Sequence, residues 1–114
     1  MTPKSMWEIL VPTVRPNSGG KKFFTTRFHR TWDARVRAIS GGLTIMGPAK
    51  GQWVSPDGTL FKERMIPVRI LCSEDELGTI MQMTCNQYEQ EAVLAYKVSD
   101  AVKMYNHPTR RNKS

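Results

Sequence analysis

Residues 66–88, IPVRILCSEDELGTIMQMTCNQY, decide the fold. Ile66, Val68, Ile70 and Cys72 alternate with Pro67, Arg69 and Leu71, the period of two that marks a strand with one buried face. Ser73-Glu74-Asp75-Glu76 follows as a capping box. The serine hydroxyl and the glutamate three residues on each accept from the other's backbone amide, which opens a helix. The period then lengthens, and Leu77, Ile80, Met81, Cys85 and Tyr88 form an apolar helical stripe. The strand extends back to Leu60. Pro67 within it has no amide hydrogen to give a ladder, so this part of the strand is expected at an edge or a bulge.

Upstream, Met6 to Val14 reads as a first strand with Trp7, Ile9 and Val11 on one face and Leu10 on the other. Arg15 to Lys22 is a loop by its Pro, Asn and paired Gly. A helix starts near Thr25 or Thr26, with Phe28, Trp32, Val36 and Ile39 as its stripe and Arg27, Arg30 and Arg37 mostly off it. Gly41-Gly42 ends it in the manner of a glycine cap. Leu43 to Met46 is a short second strand. Gly51-Gln52-Trp53 is read as loop, and Ser55-Pro56-Asp57-Gly58 as a turn. Downstream of the second helix, Ala92 to Val98 alternates as a last strand. The order β-α-β-β-α-β predicts an α+β, ferredoxin-like sandwich: a four-stranded antiparallel sheet with both helices on one face. Leu10, Val93 and Ala95 are expected on the other face, apolar enough to call for a second copy of the chain.

With 114 residues the chain is one domain, expected over 1–105 with a basic, disordered tail over 106–114. No stretch reaches the roughly 20 apolar residues of a membrane helix. The N-terminus lacks the apolar centre of a signal peptide, so a cytoplasmic protein without a membrane partner is expected. Cys72 and Cys85, without a CxxC, read as free buried thiols. With only His29 and His107 beside them there is no metal-ligand spacing, and neither metal nor cofactor is expected. Eight Lys/Arg against two acids give residues 1–37 a balance of +6, while 38–97 sum to −2 and 98–114 to +3. Basic ends suit an acidic protein or nucleic acid. A solvated helix face with a polar tail accounts for them more simply, and nucleic acid is not the expected partner.

Few residues are candidates for chemistry. There is no Ser-His-Asp set, and Gly19-Gly20-Lys21-Lys22 lacks the spacing and ending of a phosphate loop. Glu63 stands within a strand between Lys62 and Arg64, where a surface ion pair is the simplest reading. Glu89-Gln90-Glu91 places acids at a helix C-terminus, against the helix dipole. Trp53 is either a lid on the core or a stacking platform.

Cys85-Asn86-Gln87-Tyr88-Glu89-Gln90-Glu91, followed by Val93-Leu94 and Tyr96-Lys97, resembles a signature of the phage S-adenosylmethionine lyases. Val68-Arg69-Ile70-Leu71-Cys72, Arg15-Pro16-Asn17 and Arg37-Ala38 ahead of Gly42-Leu43 resemble further segments of that family, over about residues 6–97. The resemblance implies a ferredoxin-like homotrimer with active sites between subunits and no cofactor. It implies a reaction in which the substrate's own carboxylate expels methylthioadenosine and leaves homoserine lactone, depleting a host's S-adenosylmethionine as an anti-restriction measure. It places Glu63 at the catalytic carboxylate, with Trp53, Tyr88, Glu89 and Gln90 binding substrate. Trp53 stands where the family has tyrosine. Gly42-Leu43-Thr44, Gly51-Gln52-Trp53, the Pro-Asp-Gly turn, Glu63 and Gln90-Glu91 are also similar to an uncharacterised family of small bacterial ferredoxin-like proteins. That likeness keeps the fold without the reaction. A non-enzymatic alternative is a phage counter-defence or regulatory module binding a host protein or nucleic acid.

Overall fold

The computed structural model describes residues 2–108. Its elements run β1 (Ser5–Pro12), α1 (Thr26–Ser40), β2 (Thr44–Ile45), β3 (Ala49–Val54), β4 (Leu60–Cys72), α2 (Glu74–Gln87) and β5 (Ala95–Ser99). The expected tail begins at the end of these residues, and 109–114 lie outside them.

β4 is the spine of the sheet. It pairs with β1 from Ser5↔Cys72 to Pro12↔Met65 on one side. On its other side it meets β2 through Thr44↔Arg69 and Ile45↔Val68, then β3 from Ala49↔Met65 to Val54↔Leu60. β5 adds to the far edge of β1, and every pairing is antiparallel. The architecture is the expected ferredoxin-like α+β fold, with five strands rather than four. The extra strand is 49–54, read from sequence as loop. Its residues are mostly exposed, so backbone pairing holds it and no buried face betrays it in the sequence. The Pro-Asp-Gly turn closes the hairpin: Ser55 N–H donates to Thr59 O at 2.9 Å, and Gly58 takes the left-handed φ of 87°.

Pro67 lies in the middle of a central strand without disrupting it. Its carbonyl accepts from Met46 N–H at 2.9 Å, so its polar edge faces the break between β2 and β3. Met46 and Pro67 stand opposite each other, and the proline accepts one bond but has no amide hydrogen to return the other, so the ladder is one bond short at this junction.

Both helices carry the caps read from sequence. Thr25 Oγ1 accepts from Phe28 N–H, and Gly41 closes α1 with φ 90°. Ser73 and Glu76 complete the capping box of α2. The helices cover one sheet face, burying Ile9, Val11, Val68, Ile70 and Cys72 against Trp32, Val36, Leu77, Ile80 and Tyr88. On α2 the buried position is Thr84, with Cys85 only half-buried. Thr84 Oγ1 accepts from Trp32 Nε1 at 2.9 Å and donates to Ile80 O at 2.6 Å. Its hydroxyl satisfies the indole that would otherwise be an orphan in the core. Both cysteines are free, and burial pushes the Cys72 thiol up to about 11.

Val93 and Ala95 do not face away from the helices. Ala95 stands opposite Ile9, and both residues pack against the core. β5 starts three residues later than its alternation suggested, so that expectation put its inward side outward. The open face instead carries Met6, Glu8, Leu10 and Pro12 of β1, Met65, Pro67, Arg69 and Leu71 of β4, and Tyr96 of β5. The chain is elongated, 56 × 30 × 22 Å with a radius of gyration of 16.1 Å. A compact chain of this length has about 13 Å. Past Arg64 the β3–β4 hairpin pairs only with itself, an arm reaching beyond the body.

Candidate substrate site

The arm brings two of the sequence candidates into contact. Gly51 pairs with Glu63 and Trp53 with Phe61, so Trp53 and Glu63 are diagonal neighbours on one face of the hairpin. Trp53 Nε1 donates to Glu63 Oε1 at 3.1 Å. The indole also stacks on Phe61, with centroids 4.5 Å apart and planes 14° from parallel. The carboxylate is therefore oriented by one edge of an aromatic pair whose rings stay about half exposed, 48% for Trp53 and 41% for Phe61. Lys62 and Arg64 alternate to the opposite face. Among the described residues no ion pair involves Glu63, so the surface pair expected of a carboxylate between two cations does not form. Gly51 beside Glu63 leaves room for Met65, whose Cε would lie 2.6 Å from a Cβ built there.

The second group closes α2. Tyr88 caps the helix, donating its N–H to Thr84 O at 2.9 Å. Gln90 N–H then reaches back to Cys85 O at 2.9 Å, and Glu89 takes a left-handed φ of 55°. That is the glycine position of a helix terminus, and a side chain there is strained by about 1 kcal/mol or more. Gln90 Nε2 donates to Tyr88 O at 3.0 Å. Tyr88 itself is fully buried, ringed by Phe24, Phe28 and Trp32. Its hydroxyl lies 2.6 Å from His29 Nδ1. Burial holds the phenol well above its usual range, with the Asp33 charge adding to the effect. In the single chain Tyr88 offers a ligand no surface; it positions the Glu89-Gln90 turn from below.

His29 and Asp33 line a small cavity of about 50 Å³ with Val11, Trp32, Ile45, Ile66 and Val68. Burial lowers His29, opposed by the charge of Asp33, and burial raises Asp33. This cavity marks the end of the body where the arm departs, since Ile66 is three residues from Glu63 on β4. Thus both groups sit toward one end of the molecule. No hydrogen bond, ion pair or ring contact joins them among the described residues.

Sequence reasoning missed a third cluster. On the open face, Glu8 accepts from Arg69 Nε at 2.9 Å and from the Tyr96 hydroxyl. The Tyr96 bond first, then Arg69, holds the Glu8 carboxyl below its ordinary value. The signal was present: Glu8 is an acid on the alternate face of an otherwise apolar strand. A larger concavity of about 320 Å³, lined by Thr2, Pro3, Ser5, Glu74, Asp75, Lys97 and Asp100, contains none of the candidates. No group of three or more metal-ligating side chains occurs among the described residues. No helix among them is long and apolar enough to cross a membrane.

No protein-family model matches the sequence, and no curated protein sequence matches it. Solved structures do match the fold. The divalent cation tolerance protein CutA1 from Thermus thermophilus superposes with a TM-score of 0.64 at 8% identity, over 89% of this chain and 87% of that one. A phage S-adenosylmethionine lyase in complex with S-methyl-5′-thioadenosine superposes with a TM-score of 0.63 at 14% identity, over 90% of this chain and 85% of that one. The periplasmic divalent cation tolerance protein CutA from Archaeoglobus fulgidus gives 0.62 at 7%, over 89% and 87%. At these identities the similarity is one of fold.

Proposed function

We propose that the chain is an S-adenosylmethionine lyase that works as a homotrimer, with each site built where the arm of one subunit meets a neighbour. The observation that carries this reading is the Trp53–Glu63 pair, a carboxylate oriented by an indole on an exposed arm. A sulfonium-and-ammonium substrate calls for such groups. The fold likeness to a phage lyase solved with methylthioadenosine agrees with it.

In the reaction, a methionyl carboxylate oxygen attacks its own γ-carbon. The γ-carbon–sulfur bond breaks, and its electron pair stays on sulfur as the neutral thioether of methylthioadenosine. The other product is homoserine lactone, and no water or enzyme nucleophile is consumed. Charge is annihilated along this path, so a carboxylate held at the sulfonium would favour the ground state over the transition state. The productive place for Glu63 is the substrate's ammonium, which keeps its charge throughout. The aromatic faces of Trp53 and Phe61 then provide the apolar surroundings that favour charge neutralisation. The indole N–H supplies a hydrogen-bond donor where the family has a phenol. Glu89 and Gln90 of the neighbouring subunit would complete the polar contacts, and holding the substrate folded is worth several kcal/mol.

Incubating the purified protein with S-adenosylmethionine tests the reading. Stoichiometric methylthioadenosine and homoserine lactone are expected. Unchanged substrate after prolonged incubation with an intact oligomer would overturn it.

A further inference from the structure

α1 presents a face that neither the core nor the proposed site uses. At 3.6 residues per turn, Arg27, Arg30 and Arg37 fall within a sector of about 80°, spread over about 15 Å of helix axis. All three are exposed, and the sector lies roughly opposite buried Trp32 and Val36. Exposed Ala34 falls within the sector, and exposed Thr31 and Ala38 flank it. Exposed Lys21 and Lys22 precede the helix. Arg15 does not join them, because its guanidinium is folded over the rings of Phe24 and Phe28 at 4.7 and 5.4 Å. Arg35 points to the other flank and donates to Gln87. Asp33, half-buried beside the cavity, stands four residues before Arg37 and feels its charge.

Of the three arginines only Arg37, in the last turn, suits the helix dipole. α1 has no acid in its first turn, whereas α2 has Glu74, Asp75 and Glu76 there. Arg27 near the N-terminus opposes the dipole, and Arg27 and Arg30 repel at three-residue spacing. Among the described residues, none of Lys21, Lys22, Arg27, Arg30 and Arg37 is in an ion pair. Exposed Trp53, Val54, Leu60 and Phe61 lie on the arm and Tyr96 on the open sheet face, while Phe23, 55% exposed, adjoins Lys21 and Lys22.

We propose that the outward face of α1 binds the sugar-phosphate backbone of nucleic acid without reading its sequence. Charge complementarity fits either a nucleic acid or an acidic protein, and the rest of the face decides between them. Protein interfaces depend on buried apolar or aromatic anchors, and the arginine sector has none, exposed Phe23 lying outside it ahead of the helix. Phosphates need only cations and small neighbours that permit close approach. Arginine, the sole cation type on α1, also matches phosphate oxygens in a bidentate fork. The site is independent of the proposed lyase chemistry.

Binding of the full chain to a labelled duplex of about 20 base pairs, followed by anisotropy against salt, tests the inference. The logarithm of affinity is expected to fall against the logarithm of salt with a slope of at least about 3, and replacing Arg27, Arg30 and Arg37 by Ala to lower that slope by roughly 2.7. Affinity at low salt should drop at least about tenfold, and the three Lys replacements should retain most of it. Arg30→Ala alone, lowering the slope by about one, gives the same reading should the triple variant not fold. An unchanged slope in the triple Ala variant would overturn the proposal. So would binding of poly-glutamate by a protein that ignores the duplex.

Discussion

Trp53 and Glu63 are joined by a 3.1 Å hydrogen bond across two strands, on an arm that contributes nothing to the core. Neither residue is held in place by buried packing. Their exposure sets apart what they do for a ligand from what they do for stability.

Replacing Glu63 by Gln keeps the shape and removes the charge. Loss of a charge-assisted contact is worth about 1.5–3 kcal/mol, or roughly ten- to a hundredfold in turnover. Thermal unfolding should barely move, because no ion pair among the described residues is broken. Trp53→Phe keeps a ring but removes the donor to Glu63, and it should lower methylthioadenosine release by a smaller factor. Full turnover by Glu63→Gln would take this residue out of the site.

Glu89 occupies a left-handed position that suits glycine. Glu89→Gly should stabilise the fold by about 1 kcal/mol, raising the melting midpoint by about 4–8 °C. If the carboxylate contacts substrate, the same variant loses turnover while gaining stability. A rise in both would show that the strained residue has no part in turnover.

Thr84→Val keeps the volume and withdraws the acceptor from the Trp32 indole. A buried N–H left unsatisfied costs about 1–3 kcal/mol. Denaturant unfolding should show a lower midpoint at unchanged slope, and combining the change with Trp32→Phe should recover part of the loss.

Burial depresses His29 from its ordinary 6.5, so below that value the unfolded chain binds more protons than the folded one. Stability therefore increases with pH through this window and is lost toward acid. Asp33, raised by burial, contributes the opposite slope above 3.8 and partly offsets it in the more acid range. Between about pH 8 and about pH 6 the melting midpoint should fall, and His29→Gln should flatten that fall. An identical fall in the variant would assign the titration elsewhere.

Light scattering at micromolar concentration should give a trimer. Leu10 lies on the open face, so Leu10→Asp should shift the mass toward the monomer and abolish turnover together. A monomeric parent protein would refute the shared site.

Local chemistry made much of the fold legible. The capping box at Ser73, the glycine at position 41 and the alternation from Ile66 to Cys72 each depend on neighbours in sequence, and each element stands where they put it. What escaped depends on pairing at a distance. β3 has no buried face, so its Gly-Gln-Trp looked like loop until β4 lay beside it. The side of Ala95 is set by its register with Ile9, which no local period encodes. The same holds for the candidate residues. Trp53 and Glu63 are ten positions apart and meet only because a turn folds one strand onto the next. Glu8, Arg69 and Tyr96 come from three strands, and only Glu8 was conspicuous by itself.

Pro67 has a consequence for the root of the arm. Met46 N–H donates to its carbonyl, but the ring nitrogen has no hydrogen to return, so the ladder carries one bond where an ordinary residue would make two. The missing bond falls between Ile45 and Ala49, where β2 gives way to β3, and two residues from Met65, the last residue of β4 that β1 also holds. The proline therefore leaves a soft seam between body and arm, and bending there spares the pairing that sets Trp53 against Glu63.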